Sequence, residues 1–209
     1  MAKQKAPADA SRPLRADAVR NRSRILDAAR ETFAESGTDA SLEEVARRAD
    51  VGIGTLYRHF PTRASLIEHV YRDLVDQLCA TAPALLKTHT PIAALEEWVL
   101  SFTSYVGQKR GMVASLRAAL GDEPTTIFAD SHAKLATATT LLLDAARGER
   151  AIRGDIDPMD LLRTVSGVCM AAGGPGTGGA GTEDPVETAE RTRRMLGLIL
   201  DGMRYGAPA

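Results

Sequence analysis

Between Ser41 and Arg63 the chain reads SLEEVARRADVGIGTLYRHFPTR, a stretch that admits few conformations besides two short helices around a tight turn. Ser41 is placed to accept a hydrogen bond from a backbone N–H at the start of the first helix, with Glu44 three positions on reaching back to the Ser41 amide as a capping box. Leu42, Val45, Ala46 and Ala49 recur at helical spacing and leave Glu43, Arg47 and Arg48 in water. Asp50, Val51 and Gly52 interrupt that helix. Glycine costs a helix interior roughly 1 kcal/mol relative to alanine, and Val51 is too apolar for a solvated loop, so the chain must turn with Val51 tucked beneath. From Ile53 to Phe60, Leu56 and Phe60 sit four apart and bury together, while Thr55, Tyr57, Arg58 and His59 project outward. Pro61 closes the segment, because the residue before a proline is pushed out of helical geometry. Helix, tight turn, helix is the arrangement that lays its second member in the DNA major groove. Spacing alone fits an ordinary helical hairpin equally well.

The residue types go further. GTLYRHFPTRASL resembles the recognition segment of the TetR family (TetR/AcrR-type) of bacterial one-component transcriptional regulators, in which Gly54, Thr55, Leu56, Tyr57, Phe60, Arg63 and Leu66 match in order. Upstream, residues 16–36 (ADAVRNRSRILDAARETFAES) place Val19, Leu26, Ala29 and Phe33 on one stripe of a long helix that Gly37 ends. Its Arg22, Arg24, Ile25, Leu26, Ala28, Ala29, Phe33, Ala34, Glu35 and Gly37 match the family's bracing helix, so the resemblance covers roughly residues 20–70. Three positions depart from the pattern: Gly52 stands where Ser or Thr is usual, Ile53 where a polar residue is common, and Pro61 where Lys is frequent. The resemblance implies an all-α fold, with an N-terminal three-helix DNA-binding head and a larger C-terminal helical ligand-binding and dimerisation domain. The divisions expected are a disordered basic arm over 1–15, the head with its connecting helix over 16–80 (helix-turn-helix about 41–60), and the effector-binding and dimerisation domain over 81–209.

Charge distribution supports a nucleic-acid partner. The 209 residues carry a net charge of −1, yet residues 1–30 hold eight Lys and Arg against three Asp, a surplus of +5 that leaves −6 for the rest. Positive charge beside a helix-turn-helix suits phosphate contacts, while an acidic remainder limits indiscriminate sticking. Met1 to about Pro13 reads as disordered from its Ala, Pro, Lys and Ser content. Cys79 and Cys169 are too few and too far apart for a disulfide scaffold or a zinc module, which points to reduced thiols in a cytoplasm. No run of 18 apolar residues occurs and no apolar core follows the basic N-terminus, so neither membrane insertion nor export is expected. His59, His69, His89 and His132 are scattered without metal-ligand or catalytic spacing; no enzyme, metal or cofactor is expected.

Residues 64–78 read as a connecting helix, with Pro83 ending its rigid part. The body follows with a helix over 91–110 bracketed by Gly107 and Gly111, a short helix over 112–120, and further helices over about 125–147, 158–172 and 186–205. Pro158 suits a first helical turn. GGPGTGGAGTEDP, residues 173–185, holds six glycines in thirteen positions and reads as a flexible loop; it lacks the lysine and spacing of a phosphate-binding loop.

The resemblance implies roles residue by residue. Thr55 and Tyr57 would donate to phosphates, with His59 and Arg63 adding backbone contacts, and Arg22, Arg24, Ser41, Gly52, Ile53 and Gly54 complete the DNA-facing set. Arg58 is the candidate for reading guanine, although it serves a phosphate equally well. Ile53 either packs on a thymine methyl or stays in the turn. An effector pocket would be lined by Trp98, Phe102, Tyr105, Leu116, Phe128, Leu135 and Leu142 with Arg117, Asp130 and His132 as polar anchors; the same spacing fits a plain core. Val165, Val168, Met195, Leu196, Ile199 and Met203 would form a homodimer interface on the two last helices. The partners expected are a near-palindromic double-stranded DNA operator, an unidentified small-molecule effector and a second copy of the chain. The function expected is repression relieved by the effector, the alternatives being an activator or a helical interaction protein that has lost specific DNA binding.

Overall fold

The computed structural model describes residues 11–120, 126–172 and 184–206. They form α1 (Ser11–Ser36), α2 (Leu42–Arg48), α3 (Ile53–His59), α4 (Arg63–Leu85), α5 (Pro91–Leu120), α6 (Thr126–Gly148), α7 (Pro158–Ala171) and α8 (Pro185–Arg204), with no strand among the described residues. The all-α fold expected from the sequence is the one observed. Two compact units divide the chain, Met1–Val70 and Tyr71–Ala209, and α4 begins in the first and ends in the second.

In the first unit α1 begins at Ser11, five residues earlier than expected. Pro13 falls in its first turn, where an N–H has no intrahelical partner to lose. The rest of the arm read as disordered, residues 1–10, lies outside the described residues. Ile25, Leu26, Ala29 and Phe33 are buried with Leu42, Val45 and Ala46 of α2 and with Leu56 and Phe60. Val19, expected on that stripe, is exposed, since the buried part of α1 starts only at Ile25. Gly37 ends the helix at φ +77° and its amide donates to the Phe33 carbonyl at 3.1 Å. Left-handed backbone there is cheap only for glycine.

The second unit differs from expectation in two places. α5 is one helix of 30 residues that runs through both Gly107 and Gly111. Its buried stripe of Trp98, Phe102, Tyr105, Met112 and Leu116 continues past them, and tertiary burial outweighs the weak helix preference of two glycines. Pro83 likewise lies inside α4, in its last turn, instead of ending it. α7 starts as expected: Pro158 takes the first turn and the Asp157 carboxylate accepts from the Met159 and Asp160 amides at 2.8 and 3.0 Å. Of the glycine-rich stretch, residues 173–183 lie outside the described residues, while Asp184 caps α8 by accepting from the Val186 amide at 2.9 Å. The loop before α7 is tied to α8 by the Arg153 amide, which donates to the Met203 carbonyl at 2.9 Å.

Candidate nucleic-acid interface

The turn between α2 and α3 is set by Asp50. Its φ of +50° places a non-glycine residue in the left-handed region, while Gly52, the expected turn residue, has φ −68° and ψ 146°. The Asp50 amide donates to the Arg47 carbonyl at 3.1 Å and the Val51 amide to the Ala46 carbonyl at 3.0 Å, a Schellman closure with Val51 half-buried beneath. Aspartate tolerates this conformation better than most side chains. Arg24 on α1 then holds it, donating to the Asp50 carboxylate at 2.6 Å and to its carbonyl at 3.1 Å.

The other arginines of this unit are engaged in similar ways. One Arg63 nitrogen donates to the Thr38 and Ala40 carbonyls at 2.8 and 2.5 Å, fixing the loop before α2. Arg22 lies over the Phe60 ring, 5.3 Å from its centroid. Arg48 donates to Glu35 at 2.6 Å and to Glu44 at 2.8 Å, and Arg47 donates to both Glu44 oxygens at 2.8 and 2.7 Å. The capping box is therefore only half made. Ser41 Oγ accepts from the Glu43 and Glu44 amides at 3.1 and 3.4 Å, but the Glu44 carboxylate turns to the two guanidiniums, and the Ser41 hydroxyl donates to Glu43 at 2.6 Å. Hydrogen bonds from Arg47 and then Arg48 draw the Glu44 pKa down to about 2. Arg48 lowers that of Glu35, and the Ser41 hydroxyl that of Glu43.

α3 is thus anchored from below and bare above. Leu56 and Phe60 are fully buried, with Phe60 edge-on to His69 at 5.3 Å between centroids. Gly52, Ile53 (37% exposed), Gly54, Tyr57 (46%) and Arg58 face outward, with Thr55 and His59 half-buried at the rim. Neither Tyr57 nor Arg58 has a hydrogen-bond or ion-pair partner among the described residues. Of the residues expected at the DNA, the structure gathers Gly52, Ile53, Gly54, Thr55, Tyr57, Arg58 and His59 on this one surface. The guanidiniums of Arg24 and Arg63 go instead to protein oxygens, Arg22 covers a ring, and Ser41 caps α2. The sequence reading named Asp50 and Glu35 but not their pairing with Arg24 and Arg48, although an acid at a turn, opposite an arginine on the bracing helix, was a usable signal.

In the second unit Trp98, Phe102, Tyr105, Leu116, Leu135 and Leu142 are all buried, and Phe128 is half-buried. Trp98 stacks on Phe102 at 5.7 Å and its Nε1 donates to the Leu78 carbonyl at 3.1 Å; Phe102 meets Tyr105 at 5.6 Å, and Tyr71 meets Phe128 edge-on at 5.6 Å. Arg117 lies 6.0 Å from the Phe128 centroid, and His132 and Asp130 are exposed. Of the residues expected at a pocket, Asp130 lines a cavity of about 290 Å³ between α4 and α6, together with Arg72, Val75, Ile127, Ser131, Ala133 and Lys134. Of the six expected interface residues, Val165, Leu196 and Met203 are buried inside the protomer and Val168, Met195 and Ile199 are half-buried. The apolar side chains that α7 and α8 expose are Met170 (62%), Val186 and Leu198 (76%). Among the described residues no helix is long and apolar enough to cross a membrane.

A short helix, a Schellman turn and a second helix with a buried underside and a polar outer face define a helix-turn-helix DNA-binding domain. The model of the bacterial regulatory proteins of the tetR family matches residues 25–70, and that of the SbtR-like transcriptional regulator C-terminal domain matches residues 90–205. The crystal structure of the TetR transcriptional regulator SCO0520 from Streptomyces coelicolor is 39% identical, with a TM-score of 0.74 over 89% of this chain and 99% of that one. The HTH-type transcriptional repressor KstR2 of Rhodococcus jostii (strain RHA1) is 25% identical over 191 residues, 87% of this chain and 90% of that protein. The HTH-type transcriptional regulator SAB2452 of Staphylococcus aureus (strain bovine RF122 / ET3-1) is 41% identical over 63 residues; that match spans 29% of this chain and only 34% of its relative. The chain belongs to the TetR family and is a DNA-binding transcriptional regulator.

Proposed function

We propose that this regulator is a repressor that grips a near-palindromic operator as a homodimer and lets go when a small-molecule effector occupies the second unit. The reading rests above all on the outward face of α3, where Tyr57 and Arg58 have no partner among the described residues, on a domain whose neighbouring arginines are tied to protein. Thr55 and Tyr57 then hold phosphates, Arg58 reads a base edge or a phosphate, and Gly52 and Gly54 let the DNA backbone approach. Arg24 and Arg63 act from behind, by fixing the turn and the loop that aim α3. In the dimer Met170 and Leu198 face the partner copy, with Val165, Leu196 and Met203 supporting them from beneath. An effector that binds better to a conformation with wrongly spaced recognition helices weakens DNA binding by the same factor. The reading includes no catalytic step and no cofactor, and it places the protein in the cytoplasm with its DNA. The name of the Rhodococcus relative, a repressor, agrees with this sign of regulation.

The test is a footprint and an anisotropy titration of the full chain on the DNA upstream of its own gene at two salt concentrations, beside Arg58→Ala. Protection of a near-palindrome, weakened by about 1–3 kcal/mol in the variant, supports the reading. Absence of binding at low salt favours an interaction protein that has lost its operator, and binding that raises transcription makes it an activator.

A further inference from the structure

Ile53 opens α3 between two glycines. A Cβ built on Gly52 or on Gly54 would meet nothing within 4 Å, so the isoleucine stands up from a strip of bare backbone. Val51 is the residue half-buried beneath the turn, whereas Ile53 is 37% exposed and faces outward. Tyr57, one turn on, continues the same ridge, with Arg58 exposed beside it. A β-branched side chain in a helix is held largely in one rotamer, so the methyls of Ile53 are presented in a fixed direction and lose little entropy on contact.

The base edges that a recognition helix meets in the major groove are polar, with one exception. Guanine offers N7 and O6, adenine N7 and N6, cytosine N4 and thymine O4, but thymine adds its C5 methyl. An aliphatic side chain laid on a polar edge strips it of water and returns no hydrogen bond, and a phosphate gains nothing from one. Laid on the methyl, it removes apolar surface from water on both sides. The N-terminal residues of a recognition helix are those that contact base edges, and Gly52 and Gly54 carry no side chain to hold Ile53 away from them.

We propose that Ile53 is a specificity-determining residue of this regulator, packing in each half-site on the C5 methyl of one thymine. The proposal rests on the reading of the α3 face as the operator-contacting surface and names what that face reads.

The probe is the duplex that the full chain itself enriches from a random-sequence pool, with its thymines replaced one at a time by deoxyuridine, which pairs with adenine identically and lacks the methyl. One thymine in each half-site should lose about fourfold in affinity on replacement, the scale of one buried methyl group, and the two together about 15-fold. Ile53→Ser and Ile53→Gln should bind the thymine and uracil duplexes alike. Glutamine is a better helix former than isoleucine, so if a melt followed by circular dichroism finds Ile53→Ser unfolded, Ile53→Gln still decides. A uracil effect that survives substitution of Ile53 overturns the proposal; if Tyr57→Ala abolishes that effect, the methyl belongs to the tyrosine ring. An enriched duplex in which no uracil replacement matters overturns the proposal and leaves the operator reading standing. A pool from which nothing is enriched overturns the operator reading, and the proposal with it.

Discussion

The two units of this chain are held together by different kinds of contact. In the first, guanidiniums bind one element to the next: Arg24 on the turn after α2, Arg48 on Glu35 and Glu44, Arg63 on two carbonyls of the loop before α2. In the second, rings and aliphatic side chains do most of that work, with Trp98 on Phe102 and Tyr71 on Phe128, while ion pairs such as Lys134 with Asp76 lie at exposed positions. Charge-assisted hydrogen bonds fix directions, whereas apolar packing fixes mainly volume. A domain that must present two helices to a groove at a set angle benefits from the first. A domain whose interior must accommodate a ligand is better served by the second.

The largest expected effect lies where both kinds of contact meet. Phe60 is fully buried under α3, edge-on to His69 and beneath Arg22. Phe60→Ala should destabilise the first unit by about 3–5 kcal/mol and abolish operator binding. Amide hydrogen exchange in α1–α3 measures that loss, and Trp98 fluorescence follows the second unit in parallel. Equal losses in both would break the comparison, since the contacts of the first unit would then govern the whole chain.

Arg63→Ala comes next. It leaves the Thr38 and Ala40 carbonyls without their donor. A hydrogen bond to a charged group contributes about 1.5–3 kcal/mol, and the lower end applies to a half-exposed site. The melting temperature and the operator affinity should fall together, because Arg63 aims the domain from behind; lost affinity with an unchanged melt would assign it to a phosphate instead. The Arg24–Asp50 pair is more exposed, and a double-mutant cycle with Arg24→Ala and Asp50→Asn should give a coupling of about 0.2–1 kcal/mol that shrinks with salt.

Much of the first unit was legible because its chemistry is local. Ser41 ahead of an apolar period, Gly37 after one, and Leu56 four before Phe60 each announce a cap, a stop and a buried pair within one turn of chain. What was missed there is in one case long-range, since Asp50 meets Arg24 across 26 positions, and in the other a local competition: Glu44 leaves Ser41 for Arg47 and Arg48 because two charged donors outcompete one amide. The second unit was legible as helices but not in its detail. Its apolar residues are interchangeable, so nothing local marked that α5 would run through Gly107 and Gly111, or that Val165, Leu196 and Met203 would be taken up by the protomer's own core. The candidate DNA surface was read from side-chain type, and the divergence came at Arg24 and Arg63, where a basic residue near a recognition helix served protein carbonyls.

Acid should expose the same difference between the units. In the folded first unit the carboxyl pKa values of Glu35, Glu43 and Glu44 lie below their usual 4.5, that of Glu44 at about 2. Their contribution is complete above about 4.5 and is lost as the pH falls toward 2, where the folded state too takes up the proton. In the second unit a hydrogen bond from Arg153 lowers the carboxyl of Asp155 in the same way. Protection against hydrogen exchange in α1–α3, taken relative to the intrinsic rate at each pH, should therefore fall between pH 4.5 and 2 before Trp98 fluorescence changes, and Glu44→Gln should flatten that slope.

The smallest expected effect tests whether directional contacts could be extended to α3 itself. Gly52 occupies its N-cap with φ −68° and ψ 146°, a conformation open to any residue, and a Cβ there would meet nothing within 4 Å. Its lack of a side chain leaves α3 without the cap that Ser41 gives α2. Gly52→Ser should stabilise the unit by about a few tenths of a kcal/mol, whereas Gly52→Ala supplies the same backbone restriction with no acceptor and should gain nothing or lose slightly. The serine hydroxyl also stands on the DNA-facing surface, so operator affinity should rise, with the salt dependence unchanged because no cation has been added. Equal melts for serine and alanine would show that capping does not limit α3, which would then depend on Leu56 and Phe60 beneath it as the helices of the second unit depend on their cores.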